Sequence, residues 1–435
     1  MQNPFAEPGI SLLAYRERFF NEDPMAAKAV TAITDAVSLR GGRTCIVGGF
    51  VRDALLGSLS HDLDLEVFGV EGDALKLILE ELFPSRVNVV GSAFGILHIA
   101  LADGVSLDVA LPRRESKQGK GHRGFTIEGD PTMSINDAAR RRDFTVNAML
   151  LDLATWQVVD PFKGQADLEA RILRVVDATT FQDDPLRVYR AIQLAARLES
   201  TVENGSLALM MQMVERGDLA ELSKERITDE LKKLLLRAKN PSKGLEIANE
   251  LKIVQRDMLE LGNGWSTMLI VLDAAAESLL ESQTTFSNEQ SLVVMLAALC
   301  SQLEAQEAKA LFARWTFSRT VTDAAINVAL ACRKIPQDET GLRKLVRDLH
   351  PTQWQLFIVV AEAVTGKPQK KIYTILQDLE ARGELLPLLE GRDLIEIGFT
   401  PGPRIGELLR AVEDARDLGK IKTREDALAF CRKGL

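Results

Sequence analysis

The 435-residue chain is 46% hydrophobic and 26% charged, an ordinary folded-protein composition that speaks against disorder. Its length is too great for one core and asks for about three domains at ~150 residues each. A net charge of −9 argues against indiscriminate nucleic-acid binding, but a local basic patch remains compatible with a nucleic-acid partner.

The opening "MQNPFAEPGISLLAYRERFF" lacks a basic region followed by an apolar core, so no secretory signal is expected. From about Thr44 to Asp160 short β-rich pieces follow one another: "TCIVGGFV", "LDLEVFGV", "RVNVVGS", "GILHIAL", "VSLDVAL", "TVNAMLLDL" and "WQVVD". "GDALKLILEEL" interrupts them as a helix. The stretch from Arg113 to Arg142 reads as one long loop, basic and glycine-containing, through Arg113, Arg114, Lys117, Lys120 and Arg123. From Asp183 onward the texture is helical, with Pro and Gly as punctuation at "KNPSKG", "LHPTQW", "VTGKPQ" and "FTPGPR". The most apolar runs, "SLVVMLAALC" and "WQLFIVVAEAV", are shorter than the ~20 residues that span a bilayer and read as buried helices. A small α+β unit followed by a long all-α region is the expected architecture. The 4 cysteines show no CxxC pair, which disfavours zinc and disulfides and fits a reducing cytoplasm. The 4 histidines are equally scattered, so metal chemistry must rest on carboxylates.

Chemistry concentrates in a few places. In "IVGGFVRDALLG" an apolar strand runs into Gly48-Gly49 and then a helix. Exposed backbone N–H groups there, with Arg52 in the first turn, favour phosphate. In "HDLDLEVFG" the apolar Leu63, Leu65 and Val67 alternate with Asp62, Asp64 and Glu66. Asp62 and Asp64 therefore share one strand face, where mutual repulsion is relieved by Mg²⁺, an oxygen-seeking ion that keeps phosphates in its shell. Two such ions can activate a hydroxyl and stabilise a pyrophosphate leaving group. Asp108 in "VSLDVAL" is the candidate third acid, and Glu66 is assigned no chemistry. In "DDPLRVYRA" Asp184 is the expected N-cap and Pro185 the first helical residue. Arg187 lies on the same face as Asp184. A carboxylate acceptor beside a guanidinium donor matches cytosine N4/N3 and adenine N6/N1, whereas uracil and guanine present a carbonyl to the carboxylate. Arg190 and Arg197 fall on the side of the helix near Arg187, within reach of a triphosphate or RNA.

Taken in order, these stretches resemble the class II tRNA nucleotidyltransferases, the CCA-adding enzymes, and their bacterial poly(A) polymerase relatives. "GGFVRD" with "HDLDLEV" is similar to their first motif, and "RRDFTVNAM" from Arg141 to their second, associated with ribose recognition through Arg142 and Asp143. "DPFKGQADLEARILRVV" is similar to the hinge-like third motif, "DDPLRVYRA" to the amino-acid template, and "ERITDELKKLL" to the fifth. "GRDLIEIGFTPGPRIGELLRAVEDARDLGKIKTREDAL" is similar to the family's C-terminal tail. The template motif usually begins Glu-Asp; here it begins Asp183-Asp184, and Gln193 stands where some members carry another arginine.

The resemblance implies a polymerase-beta-like head with a mixed or antiparallel sheet, followed by an elongated all-α region. The implied domains are a catalytic head over 1–180, its first 40 residues a helical extension, then a nucleotide-selecting neck over 181–255. A helical body over 256–350 and an RNA-binding tail over 351–435 complete the chain, with Arg404, Arg410, Lys420 and Lys422 as contact candidates. It implies CCA addition to tRNA from CTP and ATP, with Asp62 and Asp64 as metal ligands and Gly49 and Arg52 at the phosphates. No arginine run stands in "VVGSAFGILHIAL", which argues against a poly(A) polymerase, and the long 113–140 segment argues against a CC-only enzyme. With His350 the one histidine beyond the head, an HD-type phosphohydrolase is not expected either. An A-adding enzyme shares nearly the same motifs and stays open. A non-catalytic RNA-binding module would not need the intact acid pair, and a nucleotidyltransferase for antibiotics or proteins would not need "RRDFTVNAM" or "DDPLR". None of these motifs encodes an oligomeric state.

Overall fold

The computed structural model describes residues 12–58, 63–90, 96–102, 105–117, 125–262, 264–282 and 284–432. Asp62, His61, Lys120 and Arg123 lie outside the described residues. The chain folds as two compact units, Met1–Leu234 with Lys243–Ile253, and Leu235–Ser242 with Val254–Leu435.

The first unit begins with α1 (Leu13–Glu22) and α2 (Pro24–Ser38). Asp23 caps α2 through a hydrogen bond from the Ala26 backbone N–H, and Pro24 occupies its first turn, where a missing N–H does no harm. Then follow β1 (Arg43–Val47), α3 (Gly49–Leu55), β2 (Leu63–Phe68), α4 (Gly72–Leu82), β3 (Val87–Val90), β4 (Ile96–Ala100) and β5 (Ser106–Ala110). In α4, Leu75, Ile78 and Leu79 recur at helical spacing and are the buried face. Beyond β5 come β6 (Arg113–Lys117), β7 (Phe125–Gly129), α5 (Ile135–Arg140), β8 (Leu150–Asp152) and β9 (Gln157–Val159). The main sheet has seven strands in the order β3-β4-β5-β2-β1-β8-β9. Only β2 and β5 pair in parallel; the other neighbours are antiparallel. An α+β unit is what the sequence predicts, and of the mixed or antiparallel sheet that the resemblance implies, the mixed one is found.

Two local expectations are corrected. The segment read as one loop from Arg113 to Arg142 contains a two-stranded antiparallel ladder, β6 with β7, and the helix α5 capped by Ser134. Its first strand was invisible because "RRESK" carries no apolar alternation to mark it. In "TVNAMLLDL" only Leu150–Asp152 is a strand, and Thr145–Asn147 is a single tight helical turn.

The unit continues through α6 (Gly164–Glu169), β10 (Ile172–Leu173), α7 (Ala178–Phe181), α8 (Leu186–Arg197), β11 (Thr201–Val202), α9 (Asn204–Arg216) and the start of α10 (Lys224–Arg237). Residues 243–250 of α11 (Pro241–Glu250) also belong to it. The third motif is stitched to the second. Asp160 caps α6 by accepting from the Gly164 and Gln165 N–H groups, and Asp167 accepts from the Thr145 hydroxyl at 2.7 Å and from Arg174. Gly164 is required there: a Cβ on it would fall 2.0 Å from the Thr145 carbonyl oxygen.

The second unit is helical among its described residues, with α13 (Trp265–Glu281), α14 (Asn288–Leu299), α16 (Arg319–Ala331) and α18 (Trp354–Thr365) packed on one another. Every residue from Leu292 to Leu299 of α14 is buried, as its apolar run predicts. A separate apolar cluster at the C-terminal end joins Leu389, Leu394, Phe399, Val412, Ile421 and Cys431.

Candidate active site

The site grows from the edge where β1 turns into α3. Gly48 has φ +76° and ψ −135°, a conformation that L side chains rarely adopt. A Cβ there would lie 3.5 Å from Arg142 Nη1 and 3.9 Å from Asp64 Oδ2, so one open corner is bounded by the glycine turn, a guanidinium and a carboxylate. Helix α3 is only seven residues long, so the positive potential at this corner comes chiefly from Arg142.

Strand β2 brings its acids to that corner. Leu63, Leu65 and Val67 are buried as the alternation requires. Asp64 is exposed and faces Val47, the last residue of β1, across the ladder. On its other side Asp64 is in parallel register with Asp108, so the two carboxylates stand on neighbouring strands on one face. Asp108 Oδ1 is 2.7 Å from His98 Nδ1 on β4, which fixes its orientation. His98 carries no local sequence signal for this contact, since the β4–β5 register is a tertiary property. Among the described residues no group of three or more His, Cys, Asp or Glu side chains gathers as a metal site. What they offer is the Asp64–Asp108 pair, with Asp62 outside the described residues. That all-oxygen pair beside a guanidinium fits a hard divalent ion with phosphates in its shell, and not a soft one.

The second motif supplies the wall. Glu66 is 2% exposed and accepts from Arg141 Nη2 at 2.6 Å and from Arg142 Nη2 at 3.4 Å. Asp143 is buried, with Oδ1 accepting from the Phe144 N–H and Asn147 Nδ2, and Oδ2 from Arg190 Nε and Nη2 at 2.7 and 2.6 Å. Burial opposes its ionisation, but Arg190, Asn147 and Arg187 outweigh it and hold the carboxyl below its ordinary range. Arg190, in turn, is raised above its ordinary value by Asp143.

The structure changes what two arginines can do. Arg52 is 3% exposed, donates to Asp53 and Asn147, and is pulled below its ordinary value by burial. It does not stand open to a phosphate; it packs behind Gly49, whose added Cβ would lie 3.3 Å from Arg52 Nη2. Arg197 is likewise engaged, with Asp53 at 2.9 Å.

The helix behind "DDPLR" starts one residue later than expected, and Asp184 and Arg187 are each held by other partners. Helix α8 starts at Leu186, so Pro185 takes the cap position, and Asp184 Oδ1 accepts from the Leu186 N–H. Asp184 Oδ2 accepts from Arg226 at 2.8 Å, a partner on α10. Arg187 Nη1 donates to the Thr180 carbonyl at 2.8 Å, and its Nη2 to the Arg141 carbonyl at 2.6 Å. The backbone of the second motif therefore holds Arg187.

Two family profiles match the sequence: a Poly A polymerase head domain over residues 44–174, and tRNA nucleotidyltransferase domain 2 over residues 284–431. A CCA-adding enzyme of Pseudomonas putida is 32% identical over 376 residues, covering 84% of this chain and 94% of the relative. The chain belongs to the CCA-adding tRNA nucleotidyltransferase family. Among solved structures, the Bacillus stearothermophilus CCA-adding enzyme in complex with CTP has a TM-score of 0.70 at 23% identity, covering 94% of this chain and 97% of that one. The Thermotoga maritima CCA-adding enzyme complexed with tRNA has a TM-score of 0.64 at 20% identity, over 99% and 100% of the two chains. These likenesses establish the nucleotidyltransferase head fold with its mixed sheet and the helical region after it.

As a nucleotidyltransferase the chain needs no thiol chemistry, and the structure offers none. All its cysteines are unpaired and buried, and burial pushes the Cys300 thiol up to about 12. Among the described residues no helix is long and apolar enough to cross a membrane. The family as a whole works with divalent metal.

Proposed function

We propose that this chain adds C, C and A to the 3′ end of tRNA from CTP and ATP, releasing pyrophosphate at each step. One observation carries the reading: the Asp64–Asp108 pair, the Gly48 turn and Arg142 share one corner, and the backbone next to Arg142 holds Arg187 of the base-selecting pair. Support comes also from the names of the relatives, which are CCA-adding enzymes, and from the solved complexes with CTP and with tRNA.

Asp62, Asp64 and Asp108 are the residues that would hold Mg²⁺, which when bound lowers the barrier to hydroxyl attack and neutralises the departing pyrophosphate. The rest falls to the chain. The Gly48-Gly49 turn lets the triphosphate approach backbone closely, and Arg142 places positive charge beside it. Arg52 supports the turn from behind and does not touch the phosphates. Arg142 faces the ribose, and Asp143, expected beside it, instead stands behind it, its oxygens taken by Arg190, Asn147 and the Phe144 N–H. Asp184 accepts from the exocyclic amine of C or A while Arg187 donates to the ring nitrogen; U and G offer an oxygen to the carboxylate and are refused. The 3′-hydroxyl oxygen of the tRNA then bonds to the α-phosphorus, and the α–β anhydride bond breaks.

The body, tail and neck boundaries near residues 255 and 350 belong to this reading, with Arg404, Arg410, Lys420 and Lys422 offered to tRNA phosphates. So does a cytoplasmic location, supported by the unpaired cysteines. The test gives the protein tRNAs ending before CCA, after C and after CC, with CTP and ATP separately. Incorporation of CTP on the first two and ATP on the third is expected. ATP incorporation alone would instead identify an A-adding enzyme, and neither would refute the reading.

A further inference from the structure

The mechanism above leaves Glu66 unused, and its surroundings are not those of a solvated strand residue. A carboxylate only 2% exposed needs partners. It finds them in Arg141 at 2.6 Å and Arg142 at 3.4 Å, side chains 75 and 76 positions away in the sequence. The Arg141 carbonyl in turn accepts from Arg187 at 2.6 Å. One buried acid thus joins the strand that carries Asp64, the guanidinium beside Gly48, and the backbone that fixes the template arginine.

We propose that Glu66 is a positioning residue for the incoming nucleotide. It sets the Arg142 guanidinium against the sugar and, through the Arg141 backbone, sets Arg187 against the base, both in register with Asp64. This rests on the reading of the chain as a CTP- and ATP-using transferase. Glu66 touches no substrate; it acts through the two arginines. An ion pair that merely stabilised the fold would lower incorporation of every nucleotide alike, in step with the melting temperature. A positioning residue changes which sugar is accepted.

The test compares wild type with Glu66→Gln, which keeps the volume and one acceptor but removes the charge and the fork. Single-nucleotide kcat and KM are measured for CTP and for dCTP on tRNA lacking CCA, beside a thermal melt. We expect the KM for CTP to rise about tenfold, the range for losing a charged hydrogen bond, with kcat less affected. The preference for CTP over dCTP should narrow by a similar factor, with little change in melting temperature. An unchanged KM and sugar preference overturns the proposal, as does an equal loss for both nucleotides together with a lowered melt. Should Glu66→Gln fail to fold, Glu66→Asp keeps the charge at shorter reach and the same comparison decides: a narrowed sugar preference supports the role, an unchanged one refutes it. Wild-type protein that incorporates no CTP at all would refute the functional reading beneath, a result distinct from any of these.

Discussion

Replacing Asp143 by Asn should loosen the first turns of α8 without emptying the site. The aspartate is 6% exposed, and both its oxygens are used: Oδ2 by Arg190 Nε and Nη2, Oδ1 by Asn147 and the Phe144 N–H. In Asp143→Asn the new amide NH₂ faces donors, and Arg190 loses its counter-charge. Breaking a fully buried pair costs about 3–5 kcal/mol. The Arg190 side chain is 36% exposed, so water recovers part of that, and about 2–3 kcal/mol is the discounted expectation. Hydrogen exchange over Leu186–Arg197 reads this locally, as faster exchange by about 30- to 150-fold at pH 7. The sign with pH follows from Asp143 lying below its ordinary range in the folded protein. Such a group contributes stability above its unfolded value of about 3.9 and loses it as pH falls toward the folded value. The gap between wild type and variant should therefore be full at pH 7 and close below about pH 4. Equal protection of this helix in both proteins at pH 7 would refute the pairing argument.

Asp64→Ala should abolish incorporation while tRNA binding, followed by gel shift, stays largely intact; retained turnover would remove the metal-ligand assignment. Arg187→Ala frees the Thr180 and Arg141 carbonyls and should admit UTP and GTP before turnover is lost. If that variant still fully rejects both, base selection lies elsewhere. Gly164→Ala drives a methyl to 2.0 Å from a backbone oxygen, which no rotamer change relieves. Overpacking of about 3 kcal/mol should lower the melting temperature by about 6–12 °C, and an unchanged melt would show that the second and third motifs are not in rigid contact.

What the sequence disclosed was much of what depends on local period and spacing. The apolar alternation of β2, the helical spacing in α4, the wholly buried α14 and the Gly-Gly turn all appear where the residues put them. What stayed hidden depends on register between distant segments. Asp108 could be suspected as a polar residue on an apolar strand, but its place beside Asp64 is set by the parallel β2–β5 pairing, and its His98 contact by β4–β5. The partners of the arginines were hidden for the same reason: Asp53, Asn147 and Asp143, which engage Arg52, Arg190 and Arg197, come from distant segments or from side-chain directions that spacing alone leaves open.

Strand β2 shows how far period alone can reach. Asp64 and Glu66 sit on one face by the same two-residue rule, so their sequence environments are indistinguishable. Their fates differ because the ladder with β1 ends at the Val47–Asp64 pair, whereas Glu66 lies deeper, opposite Cys45. Asp64 is therefore open at the mouth of the strand, and Glu66 is closed in with Arg141 and Arg142. An acid at the mouth can keep its charge for a cation, while an acid one pleat deeper must be neutralised by the protein itself. That division gives one polar face an open end at Asp64 and a closed one at Glu66, where the charge is already met by Arg141 and Arg142.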